Sequence, residues 1–136
     1  MAYKPVTRIV TVEFVKEERG NGYEVRVTPE HLVTRYGDRI TWVVQGLPLS
    51  RAQNVKFCNF TAIELSGTVS LVTRKRKQVL VQASNRGFIP PSVSVGANFR
   101  ATIAQGRALP GLYKYEIWFD DRLLLDPDDE IKGPRH

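Results

Sequence analysis

The side chains in this 136-residue chain that could do chemistry are few and scattered. There is one thiol, Cys58, and there are two imidazoles, His31 and His136. A cysteine and a histidine can act as nucleophile and base when they meet in space. Here Cys58 lies in an alternating apolar run, where a free cysteine is usually a small core hydrophobe. His31 follows a turn signal and is expected at the surface or in a capping role, and His136 is the last residue. Two histidines and one cysteine at such spacing do not form a metal motif. The carboxylates Asp126, Asp128, Asp129 and Glu130 could suit a hard cation. They lack the alternating spacing and central glycine of a calcium loop, so a solvated or arginine-paired acidic tail is expected. Asp120-Asp121 reads as turn chemistry. No glycine-rich stretch opens a helix as a phosphate loop would.

The cations are more suggestive. The net charge is +6, and it is unevenly spread. Residues 1–66 contribute +2 and residues 113–136 contribute −3, whereas residues 67–112 carry +7 with no acid at all. The seven cations are Arg74, Lys75, Arg76, Lys77, Arg86, Arg100 and Arg107. Four adjacent cations at 74–77 repel one another and gain little from folding. They could bind phosphates through counterion release or meet an acidic protein surface. They could equally be a solvated hairpin tip that keeps an edge from aggregating. A nucleic-acid reading would need exposed aromatics on the same face for base stacking; Phe88 is the nearby candidate. Trp118 is a second contact candidate. It falls on the strand face opposite Tyr113, Tyr115 and Ile117, and so is expected either exposed or packed beneath an added strand.

The elements that must position these residues are nearly all strands. Residues 6–15 are dense in β-branched side chains, with Val10, Val12 and Phe14 on one face. Residues 23–28 alternate with Tyr23, Val25 and Val27 inward, and Pro29 ends the pairing. Gly37-Asp38 turns the chain into a strand over 39–45, with Ile40, Trp42 and Val44 buried. Residues 46–54 read as a loop. Residues 55–60 alternate again, 62–65 do so more weakly, and 68–73 and 78–84 form strands around the cationic tip. Val93 and Val95 mark a short strand. In the next strand Phe99, Ala101 and Ile103 face inward. From 110 onward a turn leads into a strand with Tyr113, Tyr115, Ile117 and Phe119 on one face, then a hairpin at Asp120-Asp121 and a second strand from Leu123. No amphipathic helix of usable length, repeat or linker interrupts this series. Many short strands separated by turn signals indicate an all-β sandwich or barrel.

Composition agrees with a single globular domain over residues 1–136: 42% of residues are hydrophobic and 25% charged. One cysteine excludes an internal disulfide and fits a reducing compartment. The N-terminus has no apolar signal core, and the run 9–15 is broken by Thr11 and Glu13, so neither secretion nor membrane insertion is expected. The expected location is the cytoplasm.

Pro110-Gly111-Leu112-Tyr113-Lys114-Tyr115 resembles the segment that leads into the penultimate strand of cupredoxins. Val25-Arg26-Val27-Thr28-Pro29, Leu32-Val33 and Gly37-Asp38-Arg39-Ile40-Thr41-Trp42 resemble that family's opening. Leu125-Asp126-Pro127 before Glu130-Ile131 is similar to the ending of small bacterial cupredoxin-like proteins. The resemblance spans about residues 23–132 and implies a Greek-key β-sandwich, here with an added N-terminal strand at an edge. It does not imply copper chemistry. A copper-binding member keeps a histidine after the tryptophan strand, then a cysteine two residues past the second tyrosine, then a further histidine. This chain offers Gln45, Asn54 and Asn59 in the first region, Ile117 at the cysteine position and no histidine between Tyr115 and Ile131. A blue-copper site needs imidazole and thiolate together. The chain is therefore expected to be a non-enzymatic binding domain with no cofactor and no membrane contact. Its expected partner is another protein or a second copy of itself. Nucleic acid or another polyanion, bound through residues 74–107, is the alternative.

Overall fold

The computed structural model describes residues 3–20, 22–65, 92–106 and 108–133. Its elements are strands, with one short helical turn. The first strand, β1 (Thr7–Lys16), buries Val10, Val12 and Phe14 on one face. It pairs antiparallel with β2 (Tyr23–Thr28) and parallel with β4 (Arg39–Gln45). The fourth member of this sheet is β7 (Arg100–Ala104), which gives the order β2-β1-β4-β7. The N-terminal strand thus lies between two partners. The expectation of an edge position is corrected: both of its backbone rims are used. An unbroken run without proline can donate on either side, as an interior position requires.

The second sheet runs β3-β10-β8-β5-β6. Its members are β3 (His31–Arg35), β5 (Val55–Leu65), β6 (Ser92–Ser94), β8 (Gly111–Phe119) and β10 (Asp128–Lys132), and β9 (Arg122–Leu125) pairs with the far end of β8. The runs 55–60 and 62–65 are one strand. Their separation in the sequence reflects an irregularity between Cys58 and Thr61, where Asn59 adopts a positive φ of 55°. Such a bulge leaves a residue unpaired and shifts the alternation. The expected loop over 46–54 contains a single helical turn, α1 (Leu49–Ala52).

Inward faces of the two sheets meet in one apolar layer. Trp42 from the first sheet stacks on Phe57 from the second, with centroids 4.4 Å apart and planes 10° from parallel. The Trp42 Nε1–H donates to the Tyr115 hydroxyl at 3.1 Å, so the buried indole and phenol satisfy each other. Tyr113, Tyr115, Ile117 and Phe119 are all buried, as their alternation predicts. The turn between β8 and β9 uses Asp120 and Asp121 at φ 49° and 61°. That left-handed pair suits a tight hairpin, and aspartate tolerates it. One glycine is demanded by space. At Gly46 (φ 88°) a Cβ would sit 1.9 Å from the Phe14 carbonyl oxygen. No helix among the described residues is long and apolar enough to cross a membrane.

Candidate functional site

The predicted cationic cluster falls mostly outside the described residues: Arg74, Lys75, Arg76, Lys77, Arg86 and Arg107 all lie there, as do Phe88 and His136. Arg100 is described. It is exposed at the start of β7, opposite Val43.

Trp118 lies on the outer face of the second sheet and is half-buried. It is flanked across the strands by Lys56 of β5 and Leu123 of β9. Its indole N–H donates to Glu116 Oε1 at 2.8 Å, and the Asn59 amide donates to the same oxygen. The ring is therefore held by a polar anchor on one side while an apolar neighbour stands on the other. Leu123 is 50% exposed, the most open of the large hydrophobic side chains described. A bulge between Ile117 and Trp118 sets the β8–β9 register that places Leu123 beside the ring. Val33 and Ile63, on strands of the same sheet, are also exposed.

The other predicted residues do not converge. Cys58 of β5 and His31 of β3 are separated by β10 and β8, which is three strand spacings or about 14 Å. Burial pushes the Cys58 thiol up, and the Glu116 charge adds to that effect, so the thiol is poorly activated. His31 is exposed between Asp128 (3.7 Å) and Glu130 (3.5 Å). Among the described residues no group of three or more His, Cys, Asp and Glu is arranged to hold a metal ion. Ile117, at the position where the cupredoxin resemblance would put a thiolate, is fully buried and offers only hydrocarbon. Asn54 and Asn59 are committed to Asp120 and Glu116. These residues do not fit a copper centre.

Two buried carboxyls were not anticipated. Asp38, expected only as a turn residue, is fully buried at the start of β4. Its Oδ1 accepts from the Tyr3 hydroxyl (2.8 Å) and the Val6 N–H (2.9 Å), and its Oδ2 from Arg8 Nε (3.0 Å) and the Arg35 N–H (2.9 Å). Burial pushes this carboxyl up, but the donors together outweigh it and hold it below the usual range.

Asp129 corrects the expectation of a solvated or arginine-paired acidic tail. It points inward from β10 with 5% exposure, while Asp128 and Glu130 point outward. Its Oδ1 accepts from the Thr34 hydroxyl at 2.9 Å, and Thr34 in turn accepts from the buried Gln105 amide at 3.0 Å. Among the described residues that is one donor for a buried carboxyl. Burial therefore dominates and pushes Asp129 up to about 7, with the nearby Asp38 charge adding to the effect. A signal did exist in the sequence: Asp129 shares the strand face of the apolar Ile131.

The chain matches no model of a known protein family and none of the curated proteins.

Proposed function

We propose that this chain is a non-enzymatic binding domain, a copper-free relative of the cupredoxins in architecture, that works by contacting another protein. The contact surface is the outer face of the second sheet around Trp118 and Leu123. The observation that carries this reading is Leu123, half-exposed and set in register beside Trp118. A polar-anchored aromatic beside an open aliphatic side chain is the composition of an interface core. The charged Lys56 and Glu116 next to them supply a polar surround. The cupredoxin likeness is supported by the Pro-Gly-x-Tyr-x-Tyr lead into β8, and the copper-free reading by Ile117 filling the core where a ligand would be needed.

The test is a substitution at the patch. Wild-type protein and Leu123→Lys are each used to capture partners, which are identified by mass spectrometry, and each is sized by light scattering. The expected result is a protein partner, or a second copy, bound by wild type and lost by the variant at unchanged melting temperature. Retention of the same partner by the variant overturns the reading.

A further inference from the structure

A cavity of about 340 Å³ opens between the β1–β2 and β8–β9 hairpins. That volume is within the range of small-ligand sites. Its floor is a cluster of three rings. Phe14 and Phe119 have centroids 5.1 Å apart, and Tyr23 lies 6.1 Å from each. Val25 and Leu124 add aliphatic wall.

Four charged side chains also line it: Glu17, Arg51, Asp120 and Arg122. Two of them neutralise each other. Arg51 Nη2 lies 2.8 Å from Asp120 Oδ2, and its guanidinium is stacked over Phe119 at 5.1 Å from the centroid. The other two, Glu17 beyond the end of β1 and Arg122 at the start of β9, are exposed. Neither has an ion-pair partner or side-chain hydrogen bond among the described residues. The cavity thus offers an aromatic floor, one open carboxylate on the β1–β2 side and one open guanidinium on the β9 side. An apolar ligand alone would leave both charges unused, and a simple anion or cation would meet one attractive and one repulsive group.

We propose that this cavity binds a small aromatic zwitterion of the free aromatic amino acid class. Its ring packs on the partly exposed Tyr23, Val25 and Leu124 above the buried Phe14 and Phe119, its carboxylate pairs with Arg122, and its ammonium pairs with Glu17. Arginine suits the carboxylate because its planar fork can make two parallel hydrogen bonds. This site borders the Trp118 face, sharing Leu123 in its lining, and goes beyond the binding role assigned to that face.

The test uses three probes that differ by one charged group each: L-phenylalanine, 3-phenylpropionate and 2-phenylethylamine. Each is titrated into the full chain, and amide shifts are followed by NMR. L-Phenylalanine should give saturable shifts centred on Tyr23, Phe119 and Arg122, and should bind at least about threefold more tightly than either single-charge analogue, as partly exposed ion pairs allow. Arg122→Gln should weaken L-phenylalanine and 3-phenylpropionate but not 2-phenylethylamine. Glu17→Gln should weaken L-phenylalanine and 2-phenylethylamine but not 3-phenylpropionate. Both residues are on the surface, so folding is preserved and is checked by the same spectra. Equal affinity for the three probes, shifts centred elsewhere, or no saturable shift at millimolar probe would overturn the proposal.

Discussion

Asp38 and Asp129 are both buried carboxyls near enough for the charge of one to act on the other, and the fold treats them in opposite ways. Among the described residues Asp38 receives four donors and is held low; Asp129 receives one and is pushed up to about 7. The difference lies in how many donors the surrounding elements bring and in depth: Asp38 sits beside the partly exposed Arg8, whereas Asp129 lies deeper.

Opposite shifts give opposite pH dependences. Asp129 has a folded value above its unfolded one near 3.8, so its contribution is complete below about pH 4 and is lost as pH rises through about 7. Asp38 has a folded value below its unfolded one, so its contribution is present above about pH 4 and is lost as pH falls. Stability should therefore peak in mildly acid solution. From pH 5 to pH 8 it should fall by roughly 2–3 kcal/mol, which urea melts across that range would measure. Asp129→Asn can still accept from Thr34 and cannot ionise. Its profile over the same range should be flatter, and at pH 8 it should be the more stable protein. An unchanged slope in the variant would show that Asp129 is not the titrating group.

Asp38→Ala removes the acceptor for all four donors, including two backbone N–H groups. A loss of about 3–5 kcal/mol is expected, because such donors cost free energy when left unpaired. The variant should also lose the fixed position of the segment from Tyr3 to Arg8, visible as faster amide exchange at Val6.

These two residues mark where sequence reasoning stopped. Alternation alone located β2 and β4 with their observed bounds, Tyr23–Thr28 and Arg39–Gln45, and identified the buried face of β8. Period-two patterning is local, so a short window contains it. Pairing is not local. Whether β1 lies at an edge depends on β2 and β4 offering their rims to it, and nothing within residues 7–16 records that. Asp129 is the same problem in a side chain. Four acids in five residues read as solvated or arginine-paired; the burial of one depends on Thr34, 95 positions earlier, and on Gln105. The contact candidate Trp118 was legible from face alternation, but its neighbour Leu123 was not, because a bulge sets their register. The cavity between the two hairpins joins segments about 100 positions apart and left no local trace.

Gly46 gives a test of backbone packing. Ala at this position would combine a left-handed φ of 88° with a Cβ 1.9 Å from the Phe14 carbonyl oxygen. The backbone conformation alone costs on the order of 1–3 kcal/mol, and the contact cannot be relieved by rotating a side chain. Gly46→Ala should destabilise by more than about 2 kcal/mol in denaturant melts, and a neutral result would show that the β1–β4 approach is looser than described.

The Trp42–Tyr115 pair separates hydrogen bonding from packing in the core. Tyr115→Phe removes only the hydroxyl that accepts from the buried Trp42 N–H, while the ring stacked beside Phe60 remains. The orphaned donor should cost about 1–3 kcal/mol. Tyr115→Ala also empties the ring volume and should cost about 3–5 kcal/mol. The difference between the two variants measures the packing share, and the hydroxyl share should show a second signature. Burial pushes the Tyr115 phenol well above its usual range, with the Asp129 and Asp128 charges adding to the effect, so it should stay protonated in alkali that ionises exposed tyrosines. Spectrophotometric titration should then find Tyr115 ionising only as the protein unfolds, and the late-ionising signal should shrink by one tyrosine in Tyr115→Phe.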